Sequence, residues 1–245
     1  MNIEQQSTDP LRDAYHGAFV ENPAQQQFLS DGNTALLCID LQYLDAAKGH
    51  GVFKEATRSG VSEEAQQYYF DRLDQSVLPG VRMLQDAFRK CGLEVIHTRI
   101  QALTQNGRDR SKGHRRLGLL AAPGSRDADF IESVAPKPEF DEIVINKTAS
   151  GVFSSTNLHY VLKNLGIEAL FVVGVYTNEC VETTVRDACD LGYLVTVVDD
   201  ACATVTPELH DASLATLRDR YARIVSLETA FQELRIAAKK TVESA

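Results

Sequence analysis

The sequence predicts an α/β fold: a single domain in three layers, α/β/α, built on a mostly parallel, doubly wound sheet. Three observations carry that expectation. Apolar, β-prone runs recur along the chain, near residues 33–42, 92–98, 142–147, 170–173 and 192–203. Segments with apolar residues at helical spacing separate them, and repeated strand–helix units build parallel sheets with right-handed crossovers. With 245 residues, 44% of them hydrophobic, the chain is long enough to bury one substantial core.

Taken in order, residues 1–32 are largely polar, include Gln25-Gln26-Gln27, and read as an N-terminal arm on the domain or on a neighbouring subunit. Residues 33–245 form the domain. The first strand ends at Ile39-Asp40-Leu41-Gln42, and Tyr43 to about Gln67, with Gly49, Gly51 and Gly60, reads as an irregular loop leading into a helix. Residues 68–91 alternate apolar and charged at helical spacing, with a break expected at Pro79-Gly80. Gly92–Thr98 reads as the second strand, and an insertion of about residues 101–138 precedes the strand that ends at Lys147. Tyr160–Leu165 is a helix stopped by Gly166, and the next strand runs towards Cys180. Helices at about 207–220 and 228–240 close one face.

The segment from Gly174 to Thr184 is the most informative. It follows the apolar run Leu170-Phe171-Val172-Val173 and opens a helix on which Val181, Val185, Ala188 and Cys189 recur at helical spacing. Thr177 or Asn178 can cap that helix, which places Cys180 in its first turn, where free N–H groups and the helix dipole favour a thiolate. A small buried residue at a helix start is the plain alternative. Asp40 and Lys147 each end an apolar strand, where open parallel sheets build their sites. Singly they read as a turn former and a solvated strand terminus. Together the three strand ends carry a base, a cation and a nucleophile.

These elements resemble the isochorismatase-like cysteine hydrolases. The likeness rests on Ile39–Gln42, Lys147–Phe153, Gly174–Thr184 and Gly192–Ala203, in order, and spans roughly residues 33 to 230. It implies a parallel sheet flanked by helices and an Asp–Lys–Cys triad at Asp40, Lys147 and Cys180. It also implies a cis peptide at Val175–Tyr176 and an oxyanion hole from the backbone of Tyr176 and Cys180. No cofactor is implied. Nicotinamidases of the family carry a metal site of one Asp and two His after the second strand. His97-Thr98-Arg99-Ile100-Gln101 has no matching cluster, so no metal is expected and His97 reads as a core histidine.

The presence of Cys180 favours an amide or ureide bond, and the chain looks similar to the ureide-cleaving branch, which acts on biuret, triuret or ureidoacrylate. The expected substrate is a small linear ureide of the biuret or triuret type. Ureidoacrylate or an N-carbamoyl compound is the alternative, nicotinamide is weaker, and a non-catalytic binding module is the alternative of another class. Candidate substrate-binding residues are Gln42, Tyr43, Phe153, Asn157, Glu179 and Arg108. Glu179 sits beside the nucleophile, where a carboxylate disfavours a thiolate unless it points away or accepts N–H groups from a ureide. Residues 106–116 concentrate positive charge and read as a solvated loop, a subunit contact or a lid.

A net charge of −9 argues against general nucleic-acid or membrane-surface binding. Five cysteines without paired spacing suggest reduced thiols in a cytoplasm. The N-terminus has no signal-peptide pattern, and family habit suggests a homodimer or homotetramer. His159 and His210 read as surface positions.

Overall fold

A computed structural model describes Tyr15, residues 22–54 and residues 60–243. The strands are β1 (Thr34–Ile39), β2 (Glu94–Ile100), β3 (Ile143–Lys147), β4 (Ala169–Val175), β5 (Leu194–Ala203) and β6 (Arg223–Val225). They form one parallel sheet in the order β3-β2-β1-β4-β5-β6. The principal helices are α1 (Ala24–Ser30), α2 (Glu63–Arg72), α3 (Leu78–Lys90), α4 (Leu158–Asn164), α5 (Glu182–Asp190), α6 (Pro207–Leu217) and α7 (Leu227–Glu243). The doubly wound α/β fold is as the sequence predicts.

Burial on both faces explains why the central strands are unbroken apolar runs. Leu36 and Cys38 of β1, with Phe171 and Val173 of β4, join a core with Val81, Leu84 and Phe88 of α3 and Leu234 of α7. The alternate residues Ala35, Leu37, Ile39, Leu170 and Val172 join a second core with Leu162 of α4, Val185 of α5 and Leu217 of α6. Complete burial of a leucine- or valine-sized side chain is worth about 1.5–3 kcal/mol. Both cores therefore hold the sheet fixed beneath whatever its carboxyl ends carry.

The elements depart from expectation in three places. Pro79 does not break the second helical region. Leu73–Val77 forms a π-helical turn in which the Leu78 N–H reaches back five residues to Leu73. The extra residue carries the helix past a proline that has no N–H to give. Gly80 has a packing role instead, because a Cβ there would meet Leu227 of α7 at 2.5 Å. The second departure is β6, a three-residue edge strand too short for its periodicity to read from the sequence. The third is the end of the expected arm, where Ala24–Ser30 is helical and packs against α7 of its own domain. Within it the Gln25 amide donates to Thr196 Oγ1 at 3.1 Å. Residues 1–14 and 16–21 of that arm lie outside the described residues. No helix among the described residues is long and apolar enough to cross a membrane.

Candidate active site

β1 lies at the switch point of the sheet, with β2 and β3 on one side and β4 to β6 on the other. Such a reversal opens a crevice at the strand carboxyl ends. Asp40 stands there, completely buried, in the left-handed backbone region at φ 51°, which aspartate tolerates better than most residues. Its N–H donates to the Thr98 carbonyl at 3.1 Å, and the Thr98 hydroxyl donates to its Oδ1 at 3.3 Å. Lys147 ends β3, two strands away from β1 and so about 10 Å distant. Only a long side chain crosses that gap. Its Nζ lies 2.7 Å from Asp40 Oδ2 and 3.3 Å from Cys180 Sγ, and donates to the Ala149 carbonyl at 3.0 Å.

Cys180 follows β4 inside a π-helical turn, Thr177–Val181, that precedes α5. The turn is fastened at both ends. Glu179 and Val181 N–H groups donate to the Tyr176 carbonyl at 3.0 and 3.2 Å, and Thr184 Oγ1 donates to the Cys180 carbonyl at 2.6 Å. Neither Thr177 nor Asn178 caps the helix as expected. Thr177 Oγ1 is 2.8 Å from His210 Nδ1, and Asn178 Oδ1 accepts from Thr204 Oγ1. The peptide bond Val175–Tyr176 is cis. Gly174, at φ 119°, admits no side chain, since a Cβ would stand 2.1 Å from the Ile39 carbonyl oxygen. That close approach brings the ends of β1 and β4, and so Asp40 and Cys180, together.

The electrostatics correct the expectation of a resting thiolate. Burial pushes the Cys180 thiol well above its ordinary value. Lys147 opposes that shift, while Asp40 and Asp45 add to it, partly through a hydrogen bond to Asp40. Burial works against the Lys147 charge too, but Asp40 and then Cys180 carry it above the usual lysine value. The resting site is a thiol beside an ammonium–carboxylate pair. A raised thiol pKa means that the thiolate forms only as pH climbs past the free-cysteine range of about 8.5. Iodoacetamide labelling of Cys180 is therefore expected to be slow at neutral pH and still rising there. A rate that has levelled off below pH 7 would reveal a resting thiolate and contradict this picture.

The structure redistributes the other residues singled out from the sequence. Glu179, next to Cys180 in the chain, is open to solvent on one side; partial loss of water raises its carboxyl pKa, and Lys147 opposes that. Gln42 is not free to bind a ligand. Its amide donates to the carbonyls of Ile100 and Asp127 at 2.9 and 2.8 Å, and its Oε1 accepts from the Ile100 N–H, so it clamps β1 to β2. The Tyr43 ring is covered by Arg126, whose guanidinium carbon sits 3.7 Å from the ring centroid, and its hydroxyl is bonded to the same residue. Phe153 stacks on Tyr193, which precedes β5 at the amino end of the sheet, away from the trio. Asn157 is exposed at the start of α4, and Arg108 is exposed with its backbone N–H on Thr104 Oγ1.

The basic insertion packs against the loop that follows Lys147. Ser111 N–H donates to the Thr148 carbonyl at 2.9 Å, just past Lys147. The short helix Lys112–Arg116 brings His114 into burial, its Nε2 3.5 Å from Ser150 Oγ. Sequence reasoning missed His114 because nothing periodic surrounds it. His210 is buried rather than superficial, linking Thr177 to Asp199 Oδ1, which is 2.8 Å from its Nε2. His159 Nδ1 is 2.9 Å from the Tyr193 hydroxyl. His97 is a core histidine, 3.1 Å from Glu142, which Arg89 also engages. Among the described residues no group of three or more His, Cys, Asp or Glu side chains is arranged to hold a metal.

The chain is similar to known proteins in sequence and in fold. The model of the isochorismatase domain matches residues 34–229. Nicotinamidase 3 of Arabidopsis thaliana is 29% identical over 164 residues, 66% of this chain and 81% of the relative. The ureidoacrylate amidohydrolase RutB of Acinetobacter baylyi is 39% identical over 102 residues, 41% of each chain. An isochorismatase family protein from Desulfovibrio vulgaris superposes with a TM-score of 0.68 at 26% identity, covering 83% of this chain and 98% of that one.

Proposed function

The chain belongs to the isochorismatase family, and on that premise we propose that it hydrolyses amide C–N bonds, with a small linear ureide of the biuret or triuret type as substrate and Cys180 as nucleophile. One observation carries the reading: Lys147 Nζ stands 2.7 Å from Asp40 and 3.3 Å from Cys180, with all three side chains buried at the ends of different strands. A buried thiol, carboxylate and ammonium in contact are costly to assemble, and clusters of this kind concentrate at functional sites.

In this reading Asp40 takes the thiol proton as Sγ bonds to the substrate carbonyl carbon. Lys147 stabilises the negative charge that develops on sulfur as the proton leaves. The carbonyl oxygen becomes an oxyanion, received by backbone N–H groups at Tyr176 and Cys180. Collapse breaks the C–N bond, and the departing nitrogen takes the proton from Asp40 and leaves as ammonia. Water then adds to the thioester-like carbonyl, giving its proton to Asp40. The C–S bond breaks, the acid product leaves, and the proton returns to Cys180.

The test is ammonia release from biuret, triuret, ureidoacrylate, nicotinamide and an N-carbamoyl amino acid. Turnover of biuret or triuret above the others is the expected result. Silence across the panel from folded protein would overturn the reading. A second substrate, ureidoacrylate, is favoured by the 39% identity to a protein named for that activity.

A further inference from the structure

Two buried polar atoms beside the trio have no hydrogen-bond partner among the described residues: Oδ2 of Asp45 and Nδ1 of His114, each on a residue 5% exposed. Buried polar atoms are nearly always paired, so unpaired ones at a crevice point to a ligand that completes them. Both sit within the field of the trio, since Asp40 and Lys147 act on each and Asp45 acts on Cys180. Asp45 is fixed by its backbone, whose carbonyl accepts from the hydroxyls of Tyr69 and Tyr176 at 2.8 and 3.2 Å. Tyr176 in turn anchors the turn that carries Cys180. His114 arrives from the insertion, on a short helix that Ser111 caps by accepting its N–H at 3.1 Å.

The charges around these atoms are one-sided. Asp40, Glu179 and Asp127 act on Asp45, with Lys147 as the opposing cation, and Lys147 is already paired with Asp40. His114 supplies no second cation, because burial, and then Lys147, push its pKa down. Arg110 also acts on His114, but its guanidinium donates to the carbonyls of Gly107 and Leu119. Burial carries Asp45 well above the usual carboxylate value, with Asp40 adding to the shift.

We propose that Asp45 and His114 form the recognition subsite of this enzyme, and that it takes an uncharged amide bearing N–H groups beside the scissile carbonyl in preference to one bearing a carboxylate. The inference rests on the amidohydrolase reading and narrows its substrate class. An uncharged ureide offers both N–H groups and carbonyls, so it can satisfy the Asp45 carboxyl and the His114 imidazole whichever of their atoms carry protons. A substrate carboxylate can only accept hydrogen bonds, and it would add a further negative group beside Asp40, Glu179 and Asp127, where Lys147 is already paired with Asp40.

The experiment uses N-carbamoylglycinamide and N-carbamoylglycine, which share a skeleton and differ in charge. Their binding to the Cys180→Ser protein is measured by calorimetry, so the readout does not depend on turnover. The amide is expected to bind at least about ten-fold tighter, and Asp45→Asn in the same background to shrink that preference to within about three-fold. Should Asp45→Asn not fold, His114→Gln is expected to weaken amide binding by about ten-fold. Equal affinities, a preference for the carboxylate, or a preference untouched by these variants overturns the inference. Ammonia release is scored separately. Amide-selective binding without turnover would sink the amidohydrolase reading and leave the subsite standing, whereas turnover without selectivity would do the reverse.

Discussion

Replacing Cys180 with alanine is expected to reduce amide hydrolysis by about 10⁴- to 10⁶-fold, the scale of losing a nucleophile that acts with its partners as one unit. No other thiol can substitute. Cys38 and Cys202 are buried in strands, with burial pushing both pKa values to about 12. Cys91 and Cys189 are half-buried, and burial raises each of them as well. The four lack the feature that distinguishes Cys180, an ammonium 3.3 Å from sulfur and a hydrogen bond to Asp40. The variant loses one buried sulfur, so a stability change of about 1 kcal/mol is expected. An unchanged circular dichroism spectrum with retained ammonia release would remove Cys180 from the chemistry. The same spectrum with release abolished is the expected pair of results.

What the sequence disclosed was governed by whether a residue's role depends on its neighbours in the chain. β1 and β4 were legible because burial on both faces demands an apolar residue at every position. Asp40 was legible because it follows such a run directly, Lys147 because it ends a β-prone run, and Cys180 because it comes one turn after β4; strand ends converge in an open parallel sheet. Gln42 has the right chemistry for a ligand, but its partners are 58 and 85 residues away and consume its amide. Phe153 was assigned to the site by its nearness in sequence to Lys147, yet its ring belongs to Tyr193 at the far end of the sheet. His114 and Asp45 lie in segments without periodicity, and only the path of the insertion and the grip of two tyrosines bury them. Pro79 misled for a related reason. Its cost to a helix depends on whether a π turn absorbs it, and composition does not reveal that.

Lys147→Met should lose both activity and stability, and the two losses can be separated. The lysine is fully buried against Asp40, so methionine, of similar length but apolar, leaves the carboxylate buried without its cation. Breaking such a pair from one side costs about 3–5 kcal/mol, because the desolvation of the remaining charge is no longer offset. Replacing both members by uncharged residues of similar shape is often close to neutral, since no charge is then left stranded. Asp40→Asn combined with Lys147→Met is therefore expected to recover most of the midpoint lost in urea unfolding by Lys147→Met alone. Activity should not follow. Without the carboxylate nothing takes the thiol proton, and without the ammonium nothing steadies the sulfur as it ionises, so the double variant should remain at least about 10³-fold below wild type. If stability and turnover returned together in the double variant, the pair would be scaffold, and Cys180 would need another base. If stability returned alone, the same two side chains would carry both a costly buried contact of the fold and the proton transfer at Cys180.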